Sequence, residues 1–351
     1  MDEAFSEEPG RQTQRSSASV TLEDVARVAG VTAMTVSRAL HRPELVRSET
    51  QKRVLDAVRM TGYVPNMLAG ALASNKSRLV ALLLPTIATS IFTDTVQAMM
   101  DSLAASGYQT LLGLTGYSAT REEELVHTLL GRRPDGIVLT GTDHTPLTLE
   151  RLSKAKVPIV EIWDLTDDPI DMLVGFSHEA VGAAVARHLL AKGYQRFGVV
   201  SADDPRGLRR SHSVIWELQR HGVDHVPIEV LKAPATLQTG REGLIRMLKT
   251  GLPEVLVCST DTLAQGILIE AASRGMNVPH DVAVMGFGDL NTAAHLHPAL
   301  STVRVDGPAV GTTAAEALLS RFNAKALEET AVLRVDVGFK IIDRESVAGY
   351  R

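Results

Sequence analysis

From Leu79 to Gly286 the chain repeats one unit, a short apolar run that reads as a strand followed by a segment of helical periodicity. The spacing predicts strands over 79–84, 110–114, 136–140 and 158–162, with helices over 93–106, 121–131 and 147–154 between them. A second set follows: strands over 197–200, 226–231, 255–258 and 282–286, separated by helices over 181–190, 210–220, 240–248 and 263–273. This is βαβ logic, and two doubly wound lobes meeting at a cleft is the economical arrangement of two such sets. Open α/β sheets bind ligands beyond the carboxyl ends of their strands, so the tips at Pro85, Thr140, Trp163, Ser201, Ser259 and Gly286 are where a site is expected.

The N-terminal part follows a different pattern. Residues 1–17 are rich in Ser, Gln, Glu and Arg and nearly devoid of large apolar side chains, so a disordered tail is expected there. Thr21-Leu-Glu-Asp24 is a helix-start signal, Val25, Ala26 and Ala29 supply an apolar stripe, and Gly30 ends the helix. Thr32 can cap a second helix carrying Val36 and Leu40, and Ser48-Glu-Thr-Gln51 reads as a capping box for a third with Val54, Leu55 and Val58, stopped by Gly62. These are the mechanics of a helix-turn-helix: Ala26 lets two helices touch, Gly30 permits the turn, and Val36 plugs the underside while Ala33, Met34, Ser37 and Arg38 face outward. Arg38 can donate a fork to guanine or phosphate, Thr35 and Ser37 suit phosphate oxygens, and Met34 offers apolar contact to a thymine methyl. A small helical bundle with a solvated Arg38 is the competing reading. Tyr63-Val-Pro-Asn66 then breaks the pattern, and Asn66 can cap a short helix over 66–74.

Charge separates the two regions. The chain carries −5 overall, yet residues 20–76 hold eight Lys/Arg against five Asp/Glu, so only the head suits a phosphate backbone. No apolar run approaches the roughly 20 residues of a membrane span, and the polar start lacks a signal peptide's apolar stretch, which predicts a cytoplasmic protein. The single cysteine, Cys258, excludes an internal disulfide and a cysteine-based zinc site and reads as core packing; no metal or cofactor is expected. An enzyme is not expected either, because no P-loop, Gly-x-Gly-x-x-Gly, Gly-x-Ser-x-Gly or His-Glu-x-x-His pattern occurs. A sugar-binding transport protein shares the lobed architecture but would need a signal peptide and would not carry residues 21–74.

Residues 21–40, followed by Gly62-Tyr-Val-Pro-Asn66 and Ala69-Gly-Ala-Leu72, resemble the head and hinge of the lactose-repressor (LacI/GalR) family. The resemblance extends over nearly the whole chain, through Gly107-Tyr108, Asp135-Gly136-Ile-Val-Leu, Val157-Pro158, Ser259-Thr-Asp261, Val284-Met-Gly-Phe287 and Pro298-Ala-Leu-Ser-Thr-Val303. Only the disordered tail over 1–17 lies outside it, and it implies a small all-α helix-turn-helix head over 18–65, a hinge over 66–77, and an α/β sensor of two doubly wound lobes, periplasmic-binding-protein-like, over 78–351. It also implies a homodimeric repressor on a pseudo-palindromic operator, controlled by a small-molecule effector. The DNA-binding residues it implies are Thr21, Thr32, Ala33, Met34, Thr35, Ser37, Arg38, Asn66, Ala69 and Leu72, with Leu72 wedged into the minor groove. Gly70 stands where the family commonly has a longer polar residue, which weakens the hinge helix by about 1 kcal/mol.

Tyr108-Gln-Thr110, Gly116-Tyr117, His144-Thr-Pro146, Val160-Glu161 and Val174-Gly-Phe176 narrow the resemblance to gluconate-utilisation repressors. The implied effector is a sugar acid (gluconate, 2-ketogluconate or a phosphorylated relative) acting as an inducer, with another carbohydrate or a corepressor left open. Its carboxylate wants Arg and its hydroxyls want carboxylates and amides. Arg210 aligns with the family's effector clamp, whereas its neighbours Arg206 and Arg209 read as solvated. Thr260 and Asp261 fall at the family's cleft positions, though Asp261 also reads as an acidic N-cap that needs no ligand. His144 reads as a ligand donor or an exposed loop histidine, Glu161 and Asp164 are similarly open, and Ser90 and Phe92 stand at a polar contact and an aromatic wall. Gly288 occupies a position where sugar-binding relatives have a carboxylate, which favours an acidic effector.

Overall fold

A computed structural model describes residues 20–64, 76–87, 90–323 and 332–349. They belong to two units divided between Asn75 and Lys76. The expected tail over 1–17 and hinge helix over 66–74 lie outside the described residues.

In the first unit, small side chains let three helices close on one another. Helix α1 (Leu22–Ala29) opens with a capping box in which Thr21 Oγ1 accepts from the Asp24 amide and the Asp24 carboxylate accepts from the Thr21 amide. Gly30, at φ +65°, ends the helix in the left-handed region, and the Val31 amide returns to the Ala26 carbonyl. Helix α2 (Ala33–His41) is capped by Thr32, whose hydroxyl accepts from the Thr35 amide at 3.2 Å. Helix α3 (Ser48–Thr61) completes a core of Val25, Ala26, Ala29, Val36, Ala39, Val54 and Ala57. Two expectations are corrected here. Ser48 is the first helical residue of α3, so Arg47 takes the cap position and no side-chain cap bond forms. Leu55 is exposed, because 54, 57 and 58 share the inward face and 55 lies about 100° round the helix from 54.

The second unit holds a six-stranded and a four-stranded parallel sheet. Along the chain come β1 (Leu79–Leu84), α4 (Thr93–Ala105), β2 (Gln109–Leu114), α5 (Ala119–Leu130), β3 (Gly136–Thr140), α6 (Pro146–Ala155), β4 (Ile159–Ile162) and β5 (Met172–Gly175). The first lobe is built on them. The second lobe follows with α7 (His178–Ala191), β6 (Phe197–Ala202), α8 (Pro205–Arg220), β7 (Ile228–Leu231), α9 (Leu237–Thr250), β8 (Val255–Cys258), α10 (Asp261–Ser273), β9 (Ala283–Met285) and β10 (Thr302–Arg304). The chain then returns to the first lobe with α11 (Gly307–Asn323), packed on α4, and β11 (Arg334–Asp336), and crosses again to pair β12 (Lys340–Ile342) with β10. Strand order is β11-β5-β4-β3-β1-β2 in one sheet and β7-β6-β8-β9 in the other. Strands β1, β3, β4 and β8 are apolar and buried along almost their whole length, as strands covered by helices on both faces must be.

The strands predicted from spacing are present, with ends moved by a few residues. Helix α8 begins five residues before the expected 210, because Pro205 occupies its first position and the Asp204 carboxylate caps the Gly207 amide at 2.9 Å. That extension adds Arg206 and Arg209 to the helix that carries Arg210. Strands β5, β10, β11 and β12 are not among those expected: β5 follows β4 with no helix between them, and the other three lie beyond the strand–helix alternation that ends near 286.

Helices α9 and α10 cross with their backbones in contact at Gly240 and Gly266. A methyl on Gly266 would lie 2.2 Å from the Leu237 carbonyl oxygen, and one on Gly240 would lie 2.3 Å from that of Leu263. Gly266→Ala should therefore destabilise the unit by about 1–3 kcal/mol even though alanine is the better helix former by about 1 kcal/mol, since a backbone carbonyl cannot yield as a side chain can. A urea melt of wild type and variant measures this, and a stabilised variant would show that the crossing is loose.

Candidate functional site

The first unit presents one face of α2. Met34 is 62% exposed and Arg38 is exposed, while Ala33, Thr35 and Ser37 are half-buried beside the Val36 plug. Arg38 has no ion-pair partner among the described residues. Its guanidinium is thus available to an external acceptor, whereas Arg27 on α1 is spent on Asp24. Thr21 and Thr32 are exposed helix caps, and the Thr32 and Thr35 hydroxyls bond each other at 2.9 Å. A helix N-terminus capped this way, followed by an exposed apolar and an exposed cationic side chain, can approach phosphates and base edges. The expected contacts Asn66, Ala69 and Leu72 lie outside the described residues.

The second unit contains a cleft between the lobes, spanning about 560 Å³ of atom-free space that includes open solvent at its mouth. Phe92, Tyr117 and Trp163 come to it from the first lobe; His178, Asp204, Arg206, Arg210, Thr260, Asp261, Thr262 and Phe287 come from the second. Arg210 lines it and is buried. Its guanidinium sits 3.7 Å over the Phe287 ring, Nη1 meets His178 Nδ1 at 2.9 Å, Nη2 donates to the Ser259 carbonyl at 2.6 Å, and Nε is buried with no partner. Burial lowers its pKa to about 10, which leaves it charged at neutral pH. His178 Nε2 meets the Trp163 carbonyl at 3.0 Å, which fixes the proton on that nitrogen and leaves Nδ1 to accept from Arg210. Burial, and then the charge of Arg210, hold His178 well below the usual histidine range, so it is neutral. Trp163 holds φ +65°, donates from Nε1 to Thr95 Oγ1 at 3.1 Å and packs edge-on against Phe92 and Phe176. The Tyr117 hydroxyl, pushed by burial to about 12, stays protonated.

Asp261 lines the cavity without being the N-cap of α10. Thr260 takes that role, and the Asp261 carboxylate instead accepts from Thr302 Oγ1 at 2.6 Å and from the Leu290 amide at 2.8 Å. Its close fit over Gly286, where an added methyl would lie 2.2 Å from Oδ1, ties α10 to the β9–β10 region. Burial raises its pKa to about 6. Gly288 has φ +128°, a backbone conformation that excludes a side chain whatever the ligand, and the neighbouring Asp289 is neutralised by Arg304 and Arg344.

The other expected effector residues are placed elsewhere. His144 is not an exposed loop histidine: its ring is buried, with Nδ1 at 2.6 Å from Glu122 and Nε2 at 3.4 Å from Glu161, the second contact too poorly aligned for a hydrogen bond. Asp164, also buried, accepts both hydrogens of a contact with Arg209 Nη1, at 2.8 and 2.9 Å, while Arg209 Nη2 reaches Asp143 at 2.7 Å. His144, Glu161 and Asp164 do not line the cavity. The side chain of Ser90 lies outside the described residues. Arg209 and Arg206, expected to be solvated, are both lobe-to-lobe contacts: Arg209 through Asp164 and Asp143, and Arg206 through a 2.9 Å bond from Nη1 to the Thr140 carbonyl. The Asp-Pro pair at 204–205 carried the signal for a helix that includes both arginines, and contacts with the first lobe decide that they turn inward. Trp163 was one of the strand tips and Tyr117 part of the Gly116-Tyr117 motif singled out in the sequence, whereas His178 carried no signal and enters from the start of α7. Among the described residues no group of histidine, cysteine and carboxylate side chains could hold a metal, and no helix is long and apolar enough to cross a membrane.

Comparison with known proteins matches residues 21–66 to the model of bacterial regulatory proteins of the lacI family and residues 186–347 to a periplasmic binding protein-like domain. The HTH-type transcriptional regulator GntR of Pseudomonas aeruginosa is 37% identical over 336 residues, covering 95% of this chain and 97% of its own. A LacI family transcriptional regulator from Silicibacter pomeroyi superposes with a TM-score of 0.86 at 31% identity, covering 93% of this chain and 98% of its own. The lac repressor dimer bound to operator and an anti-inducer shares the fold, with a TM-score of 0.79 at 22% identity over 94% of this chain and all of its own.

The buried histidine gives a pH test. Burial alone would lower the His144 pKa, but Glu122 and Glu161 override it and raise the pKa from an ordinary 6.5 to about 9. Its stabilising contribution is then fully present below about pH 6.5 and is lost as pH rises through about 9. His144→Gln should lower stability by roughly 1–3 kcal/mol at pH 6.5, and the gap should narrow above pH 9. Thermal melts at the two pH values measure it; a gap independent of pH would mean a neutral imidazole.

Proposed function

This chain belongs to the lacI family of bacterial regulatory proteins and is a transcriptional regulator of that family, and from that premise we propose that it is a homodimeric repressor released from a pseudo-palindromic operator by a sugar acid of the gluconate type. The head, residues 18–65, reads the major groove with Ala33, Met34, Ser37 and Arg38 and holds phosphates with Thr21, Thr32 and Thr35. The hinge, residues 66–77, adds Asn66, Ala69 and the Leu72 wedge in the minor groove. A single head makes too few base contacts to be specific, so two are required, and symmetry in the protein asks for symmetry in the site. The edge strand β2 supports a second copy, since Leu111 and Leu112 are 36% and 42% exposed on it and an apolar edge left open invites aggregation. The lac repressor, which shares this fold, is a dimer on its operator.

The observation that carries the effector reading is Arg210, a buried charge with no carboxylate within ion-pair distance among the described residues and with an unpartnered Nε. A charge held out of water in this way is completed by an anion. Phe92, Thr260 and Asp261 complete the contacts carried from sequence, with Asp261 able to accept from a hydroxyl on lone pairs its own bonds leave free. The sequence resemblance to gluconate-utilisation repressors supplies the polyol. Such a ligand changes DNA affinity only as far as it prefers one lobe arrangement, and a coupling of about 1–3 kcal/mol would shift operator affinity some five- to 150-fold.

Two variants separate the halves of this reading. Arg38→Ala should lose specific operator binding, each lost base contact being worth about 1–3 kcal/mol, and keep its affinity for gluconate. Arg210→Ala should keep operator binding in a gel-shift titration and lose both gluconate binding by calorimetry and the response to it. Footprinting should protect two half-sites. Protection of one asymmetric half-site would overturn the dimer reading, and a wild-type chain indifferent to gluconate and 2-ketogluconate would overturn the effector.

A further inference from the structure

Arg206 stands one turn before Arg210 on α8, so the two side chains share a helix face. Both are more than nine-tenths buried, at 9% and 7% exposure, and both line the same cavity. Neither has a carboxylate within 4 Å among the described residues, while Arg209 between them contacts three, Asp143, Asp164 and Glu179. Among the described residues Arg206 spends only Nη1 on a protein acceptor, the carbonyl of Thr140 at the end of β3, and its guanidinium lies 5.6 Å from the centroid of the Phe92 ring. Both partners belong to the first lobe, whereas Arg206 belongs to the second. Gly141, at φ +96°, makes room for it: a methyl there would lie 2.7 Å from Arg206 Nη1. Asp204, the nearby carboxylate on the cavity wall, is occupied in capping the Gly207 amide.

We propose that Arg206 is a second anion-binding residue of this cavity, and that it holds the acidic group of the ligand while bonded to the first lobe. One cation at Arg210 would bind an anion to the second lobe alone. A second cation already fastened to Thr140 makes the same anion a tie between lobes, so that ligand charge is converted into preference for the closed arrangement. The chemistry selected is a carboxylate or phosphate group, which accepts several donors at once, over a neutral polyol. This deepens the sugar-acid reading and rests on it for the ligand's identity, not for the need of an anion.

The test uses the full chain, with inorganic phosphate as a probe that carries charge and no sugar, and gluconate as the sugar acid. Phosphate should raise the melting temperature of wild type, and Arg206→Gln should lose most of that rise. Arg220→Gln, the same charge change at the exposed end of α8, should retain it. Gluconate should bind Arg206→Gln roughly ten- to one-hundred-fold more weakly than wild type by calorimetry, the range expected for a lost charge-assisted contact. Should Arg206→Gln fail to fold, Arg206→Lys decides the matter: its compact ammonium lacks the planar fork that can keep Thr140 on one nitrogen and hold an anion on the others, so binding should fall several-fold. Phosphate and gluconate responses equal to wild type in the folded variants would overturn the proposal, as would a wild type that neither anion affects. If phosphate acts through Arg206 while gluconate binds nothing, the sugar-acid reading fails and the anion site stands.

Discussion

Burying a guanidinium between two lobes is expensive unless something compensates its charge, and the sensor unit is organised around that constraint. Three arginines of one helix face the seam, and they are treated differently. Arg209 is compensated inside the protein by Asp164 and Asp143, a clasp between lobes that needs no ligand. Arg206 and Arg210 have no ion-pair partner among the described residues and are held by carbonyl oxygens, the neutral His178 and the faces of Phe92 and Phe287. Hydrogen bonds and ring faces hold a cation in place without cancelling its charge. An internally paired clasp thus lies beside two arginines that have no ion-pair partner among the described residues.

The scaffold makes this arrangement possible by limiting what else moves. Each lobe has its own parallel sheet buried between helices, and the chain passes between lobes near Gly175, Asp306 and Gly338, so the lobes are joined by short backbone segments. Within the second lobe, glycine contacts bring α9 and α10 backbone to backbone, and Gly182 of α7 meets the Arg210 carbonyl of α8 closely enough that a methyl would lie 2.4 Å from it. A helix gripped at that point presents Arg206 and Arg210 at fixed height. Trp163, at a left-handed φ, links the two sides through its carbonyl to His178 and its indole to Thr95. A backbone conformation of that kind persists where packing over-determines it.

Much of the architecture was legible in the sequence because it is written in local terms. The capping box at Thr21, the glycine turn at Gly30 and the plug at Val36 concern residues within one or two turns of each other, and strand–helix alternation needs only local periodicity. The resemblance to a known family then located Arg210 and Phe92 in the cavity. Crossing strands such as β10 and β12 were not legible, since they lie beyond the strand–helix alternation that marks the others. The Ser48 capping box had the right letters but lay one residue too far along.

Side-chain partnership was decided elsewhere. His144, Glu161 and Asp164, near strand ends, were open between ligand contact and a bland role, and their partners are distant in sequence: Glu122 and Glu161 for His144, Arg209 for Asp164. Arg206 and Arg209 read as solvated because charged residues are seldom buried, and both are drawn in by acceptors of the opposite lobe. The sequence by itself determined a helical head, a paired set of βαβ lobes and the presence of a cation at the cleft, all consequences of short-range pattern or of family likeness. Only the tertiary structure decided which charges are compensated within the protein and which are left for a ligand. Compensation depends on distances of about 3 Å between groups tens of residues apart, and no local pattern encodes those.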